Sequence, residues 1–320
     1  MPAELTTLIT GASGNLGGLL ARHLISSRRR LHLIAHQTEL PGDISSYERC
    51  RIFRADLADP ASLEAPCSGA DAVVHFAGVL FKPNPGAFLP VTNTKYFENL
   101  VTAAVAQRVK KIILISFPHV EGETTPDRPA AGVLTGNPSS VHARTRLEEE
   151  RLLFRLTENT ATAPVVLRLG MVYGRGILMI DAARWLAERR LLGIWNRPTW
   201  IHLISTMDYL RAVEAAVFTA GARGIYHAGD ETVITLQEFL DRSAAVWGCG
   251  KPWRMPEWMI FAAAAACELF AFIFRTRSPL TRDFIRIGMA SYYGDTGRFR
   301  SELLKKLEYP TFNDGIGTLE

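Results

Sequence analysis

Cysteine is scarce in this chain of 320 residues. There are four, Cys50, Cys67, Cys249 and Cys267, and none forms a CxxC pair or joins histidines at metal-ligand spacing. That excludes a zinc ribbon or finger and predicts no metal site. In a chain this long, four thiols fit a reducing cytoplasm better than a disulfide framework. Lysine is scarcer still for its class: 29 of the 36 basic residues are arginine. The net charge is only +4, and the one basic run is Arg28-Arg29-Arg30. With no basic patch interleaved with aromatics, nucleic acid is not an expected partner. No basic leader precedes the first apolar segment, so no targeting signal is expected. Long apolar runs are missing as well. The longest, Trp258 to Phe274, is 17 residues and contains Glu268, which is at the lower limit for a membrane span. A buried helix is the expected reading, and peripheral membrane contact, helped by Arg275 and Arg277, is the alternative.

What is present is a globular composition, 48% hydrophobic, with a clear alternation of elements in the first half. Buried strands are predicted at Leu5–Thr10, Leu31–Ala35, Arg51–Arg54, Asp71–Ala77, Lys111–Ser116 and Val165–Leu169. Helices are predicted from Leu16 to Ser26, Thr92 to Gln107 and Ser139 to Thr157. Strand and helix in strict turn imply an α/β fold, a Rossmann-type doubly wound parallel sheet. Residues 1–174 are expected to form the dinucleotide-binding domain, which also receives strands from about 200–230. Residues 175–320, where all six tryptophans lie, are expected to be a smaller, mainly substrate-binding region.

Gly11-Ala12-Ser13-Gly14-Asn15-Leu16-Gly17 joins the first strand to the first helix. Glycines there let the chain turn tightly and let a pyrophosphate approach the backbone, and the helix start supplies N–H donors and a positive dipole end. A bound NAD(H) or NADP(H) follows. An acidic residue at the end of the second strand would bind the ribose 2′-hydroxyl of NAD. The chain has Ala35-His36-Gln37 there, so NADP is preferred, with His36 beside its phosphate.

With these residues in view, the chain resembles the extended short-chain dehydrogenase/reductases, in particular the NAD-dependent epimerase/dehydratase group and its 3β-hydroxysteroid dehydrogenase branch. Thr10 to Gly17 resembles the family's TGxxGxxG, Ala55-Asp56-Leu57 its adenine-contacting pair, and Val73 to Gly78 its cofactor-side strand. Asn93 and Asn99 resemble its two helical asparagines, and Leu167 to Gly174 its LRpgxVYG segment. The resemblance implies cofactor contacts at Gly11, Ser13, Gly14, Asn15, Leu16, Gly17, His36, Asp56, Leu57, Phe76, Ala77, Gly78, Asn93, Arg146, Gly170 and Val172.

The family's chemistry uses Tyr-x-x-x-Lys with an upstream Ser or Thr. No lysine here has a tyrosine four residues before it. The matching segment reads Val141-His142-Ala143-Arg144-Thr145-Arg146, which puts His142 at the Tyr position and Arg146 at the Lys position. Counting back from Gly122 puts the Ser position on Phe117, and a one-residue change of register would bring Ser116 there. His142 can replace a phenol because imidazole titrates near neutrality. Arg146 can hold ribose hydroxyls but stays charged. His119 and Glu121 are alternative groups, and His75 reads as structural. Arg144–Glu148 and Arg146–Glu150 helix pairs would be the purely structural use of those arginines. The expected function is an NAD(P)-dependent oxidoreductase or epimerase acting on a hydroxyl- or carbonyl-bearing small molecule. Trp195 and Trp200 point to an apolar or ring-shaped substrate. The competing class is a cofactor-binding, non-catalytic sensor, chaperone or complex subunit. A homodimer is compatible with either.

Overall fold

The structure, a computed structural model, describes residues 5–78, 84–276, 278 and 280–320. Seven parallel strands form one sheet: β1 (Thr6–Thr10), β2 (Arg30–Ala35), β3 (Cys50–Arg54), β4 (Ala72–His75), β5 (Lys111–Ser116), β6 (Ala163–Leu169) and β7 (Gly224–Ala228). Their order is β7-β6-β5-β4-β1-β2-β3. The chain runs outward from β1 through β2 to β3, then returns to the other side of β1 with β4. That reversal opens a crevice at the C-terminal ends of β1 and β4, where open α/β sheets bind ligands. The first six strands coincide closely with the runs of β-branched and aliphatic residues in the sequence.

Alternate residues of each strand face opposite sides of the sheet, and each side is covered. Leu8, Val73, Ile112, Leu114 and Val166 face Phe97, Leu100 and Ala104 of helix α2 (Tyr96–Ala106) and Leu153 of helix α3 (Val141–Thr157). Their neighbours Ile9, Val74, Ile113 and Val165 face Leu20 and Leu24 of helix α1 (Asn15–Ser26) and Val213 and Ala216 of helix α4 (Thr206–Phe218). Full burial of each such aliphatic side chain is worth about 1.5–3 kcal/mol. This double cover is what makes the inner strands continuously apolar, whereas edge strand β3 is half-exposed and carries Arg51 and Arg54. The helix predicted from Thr92 opens with a π-helical turn, Pro90–Lys95, before α2 proper.

After β6 the chain builds shorter pairs. Met171–Tyr173 pairs with Leu203–Ser205, and Gly193–Trp195 pairs with Trp253–Met255. Two helices then follow, α5 (Glu257–Ile273) and α6 (Arg282–Met289). Helix α5 corrects an expectation. Its apolar sequence predicts burial, yet only Ile260, Ala264 and Ala271 are buried, while Trp258, Leu269, Phe270, Phe272 and Ile273 are exposed. A helix that is hydrophobic all round buries only the stripe that finds a partner, and here one narrow stripe does. Among the described residues no helix is long and apolar enough to cross a membrane. Arg277 lies outside the described residues.

Candidate active site

The glycine turn sits at the crevice. Gly11 has φ +76°, and a side-chain carbon there would lie 3.0 Å from the Ala77 nitrogen. A carbon on Gly17 would lie only 2.3 Å from the Gly11 carbonyl oxygen. Glycine is therefore required at both positions, the first for conformation and the second for close helix–strand packing. Gly14 caps α1 without a side-chain hydrogen bond, and the first turn of α1 holds no acidic residue. The helix start is thus an uncapped, electropositive N-terminus. Ser13, Gly14 and Asn15 are exposed, Leu16 is half-buried and Gly17 is buried. The Asn15 side chain donates to the Gly176 carbonyl at 2.7 Å and accepts from the Leu178 N–H at 3.0 Å, tying the turn to the C-terminal region. A pyrophosphate fits this bare cradle on the structure's own terms.

At the tip of β2, the His36 Nε2 lies 3.2 Å from the Asp56 carboxylate, with both groups about half-exposed. Asn99 donates to the Leu57 carbonyl and so fixes the segment after β3. Across the crevice, Phe76 to Gly78 leave β4 beside Gly11. A carbon on Gly78 would lie 3.5 Å from the Arg146 guanidinium and 4.0 Å from the Asn93 side-chain oxygen. The structure thus gathers the glycine turn, Ala77, Gly78, Asn93 and Arg146 around one cleft. Gly170 and Val172 follow β6, and Gly170 is pressed against the His202 carbonyl, 2.7 Å from where its side chain would begin. The sequence there needs glycine for that close approach.

Helix α3 supplies the polar wall of the cleft. Ser140 caps it, its hydroxyl accepting from the Ala143 N–H at 3.0 Å, so the helix starts at Val141. His142, Thr145, Arg146 and Glu149 then share one face by helical spacing. Thr145 accepts from the Asn93 side chain at 3.1 Å. Arg146 pairs with the fully buried Glu149 at 3.0 Å, not with Glu150. Glu149 faces His75 at 3.9 Å, and His75 is held by the Thr10 hydroxyl at 2.8 Å. Burial pushes the Glu149 carboxyl up to about 7, against the pull of Arg146 and with the push of Glu150. Burial and then the Arg146 charge push His75 down to about 3, so it is neutral and structural, as its strand position suggests. Arg144 donates to the Ser139 carbonyl rather than pairing with Glu148.

His142 meets a partner that sequence spacing does not reveal. Its Nδ1 lies 2.6 Å from Asp283 Oδ2, and both side chains are largely buried. Asp283 belongs to the first turn of α6, which Thr281 caps, and its other oxygen accepts from the Val141 N–H at 3.2 Å. The carboxylate therefore sits at the N-termini of two helices, which favours its ionised form. Burial raises the Asp283 carboxyl, but the hydrogen bond and charge of His142 and the Val141 N–H outweigh it and hold it below the usual range. An ionised carboxylate only accepts, so it is the Nδ1 side of His142 that donates to Asp283. Near this junction is a cavity of about 240 Å³ whose lining includes His119, Ser140 and Arg286. A hollow of about 410 Å³ opens at the opposite, N-terminal ends of β1 and β2, away from the glycine turn.

Two expected site residues are placed elsewhere. Ser116 donates to Glu150 at 2.5 Å, inside a buried network in which Glu150 and Glu121 both pair with the fully buried Arg168. That hydroxyl is spent on a buried carboxylate and faces the core, because strand alternation turns it away from Phe117. Glu121 is spent in the same network, 3.4 Å from His227. Trp195 is also not a pocket wall. It is buried, its indole N–H donates to Thr199 at 2.8 Å, and its ring backs onto Gly288 of α6. Its work is to seat the helix that carries Asp283.

A parallel sheet in this order, with a bare glycine turn at its reversal point, defines a Rossmann-type dinucleotide-binding protein. The chain belongs to the NAD dependent epimerase/dehydratase family, whose model matches residues 7–229. Membership places it among NAD-dependent enzymes. It is similar to a uronate dehydrogenase of Pseudomonas syringae pv. tomato, 25% identical over 231 residues that cover 71% of this chain and 75% of that protein. Among solved structures it is similar to a UDP-glucose 4-epimerase of Thermotoga maritima with UDP-glucose, at TM-score 0.76 and 15% identity, covering 98% and 97% of the two chains. A UDP-glucuronic acid 4-epimerase of Bacillus cereus in complex with NAD gives TM-score 0.74 and 17% identity over 98% and 97%.

Proposed function

We propose that the chain is an NAD(P)-dependent oxidoreductase or epimerase whose proton carrier is His142, oriented by Asp283. The observation that carries this is the 2.6 Å contact between His142 Nδ1 and Asp283, at the start of the helix that also brings Arg146 to the cofactor side of the cleft. The glycine turn, Ala77, Gly78, Asn93 and Arg146 would hold the dinucleotide, with the pyrophosphate on the start of α1. When bound, the nicotinamide supplies or accepts the hydride. Arg146 binds ribose hydroxyls as a fixed cation held by Glu149. Asp283 fixes the imidazole plane, and the imidazole takes a proton from a substrate hydroxyl or returns one to a carbonyl oxygen. NADP(H) is the preferred cofactor, because β2 ends without a carboxylate and with His36. Affinities measured side by side for NADH and NADPH test that preference, and tighter NADH binding would reverse it.

The substrate is a ring-bearing alcohol or ketone. A hexuronic acid is the second reading, favoured by the similarity to a uronate dehydrogenase and by Arg286 on the cavity wall, since guanidinium pairs well with carboxylate. Turnover of a carbonyl and alcohol panel that includes hexuronic acids tests both. Loss of turnover in His142→Ala with cofactor affinity kept supports the assignment. Tight cofactor binding with no oxidation or reduction across the panel would favour the non-catalytic class.

A further inference from the structure

Helix α5 is the largest exposed apolar feature of the described chain. At 17 residues it runs about 25 Å. Its buried or half-buried contact stripe is Ile260, Phe261, Ala264, Cys267, Glu268 and Ala271, all within about 120° of one another at 100° per residue. Apart from Glu257, the exposed positions span the opposite arc of about 180° and include Trp258, Leu269, Phe270, Phe272 and Ile273. Phe272 is 78% exposed and Trp258 69%. Monomeric proteins rarely leave a patch of this kind uncovered.

The shape of the arc says what covers it. A packed helix partner covers a stripe of about 100°. An arc nearly twice that wide, on a helix whose own protein covers only the opposite side, is best covered by a medium that surrounds it. The charges agree. Glu268 is engaged by Arg282 at 2.7 Å, and Glu257 faces Arg197 at 3.4 Å. The outer arc therefore carries no uncompensated acid, while Arg275 is exposed just past its C-terminal end and Lys251 before its start. Apolar aromatic side chains with basic residues at the margins match an anionic bilayer surface. The helix is too short to span, so it would lie along the interface.

We infer that α5 docks this protein onto an anionic lipid bilayer by immersing the arc from Trp258 to Ile273, without crossing it. The inference stands apart from the reaction proposed above. The test is flotation of the purified full chain with vesicles of phosphatidylcholine plus phosphatidylglycerol, and with vesicles of phosphatidylcholine alone. The wild-type chain floats with the mixed vesicles and less with the neutral ones, and the emission lost in Trp258→Phe is the part that shifts to the blue on vesicle addition. Phe272→Gln with Ile273→Gln lowers flotation about tenfold or more while cofactor affinity is unchanged, because both side chains are on the surface. Arg275→Glu narrows the gap between mixed and neutral vesicles. The inference is overturned if the wild-type chain stays in the soluble fraction, or if the double variant floats as well as wild type. It is equally overturned if the double variant only dissolves a dimer seen by sedimentation, since the arc would then be covered by a second copy.

Discussion

The two walls of the cleft are built on different principles. The wall at β1, α1 and β4 is backbone: Gly11, Gly14, Gly17 and Gly78 work by lacking side chains, and the groups that would meet a cofactor are N–H donors fixed by the sheet. The wall at α3 and α6 is side chain: it depends on two residues 141 positions apart meeting at 2.6 Å. Backbone geometry is copied whenever the fold forms, so the first wall tolerates sequence drift everywhere except at its glycines. The second wall can be rebuilt with new chemistry without disturbing the first. A chain built this way can keep its cofactor wall while the polar groups on α3 change.

The contrast can be broken at either wall. Gly17→Ala puts a carbon 2.3 Å from the Gly11 carbonyl, and overpacking of this kind costs about 1–3 kcal/mol. It should abolish cofactor binding by fluorescence titration, and with it all turnover. His142→Ala should leave cofactor affinity within error of wild type and lower kcat/KM about 10³-fold, the range of a lost acid–base group. Asp283→Asn should lower kcat/KM about 10²-fold through misorientation of the imidazole, again with cofactor affinity unchanged.

The smallest expected effect lies behind both walls, in the network under Ser116. Burial raises the Glu121 carboxyl, but His227, Arg168 and the N–H groups of Ala131 and Gly132 bring it from 4.5 to about 2. The folded state then binds fewer protons than the unfolded state between those values. Its stabilising contribution is complete above 4.5 and is lost as the pH falls toward 2. Thermal melts of Glu121→Gln should show a flatter acid limb than wild type, with a lower melting temperature at neutral pH. An unchanged acid limb would remove Glu121 from that role.

The backbone wall was legible in the sequence and the side-chain wall only in part. Local patterns fix the strands and the glycine turn: aliphatic runs are readable one by one, and Gly17 sits where only glycine fits. Long-range pairings leave no such local trace. Asp283 is one acidic residue in a helix's first turn, indistinguishable by sequence from an ordinary dipole partner. Ser116 is the last residue of β5 and Phe117 the first beyond it, and only the fold shows that the Ser116 hydroxyl is turned into the core. Trp195 looked like a pocket aromatic because composition says nothing of which indole is sealed behind Gly288. Arg146 took Glu149 rather than Glu150 because Glu150 is already held by Arg168 and Ser116. Helix α5 misled in the other direction: apolar composition predicts what a segment avoids, not what is available to cover it.

The central claim is that His142 and Asp283 act as one unit, and a double-mutant cycle on kcat/KM tests it most directly. The measurement takes His142→Ala, Asp283→Asn and the double variant with the substrate that the panel identifies. If Asp283 acts only through the imidazole, the double variant is no slower than His142→Ala alone. Losses that simply multiply would mean that the two residues contribute independently, and the account of this site would be wrong.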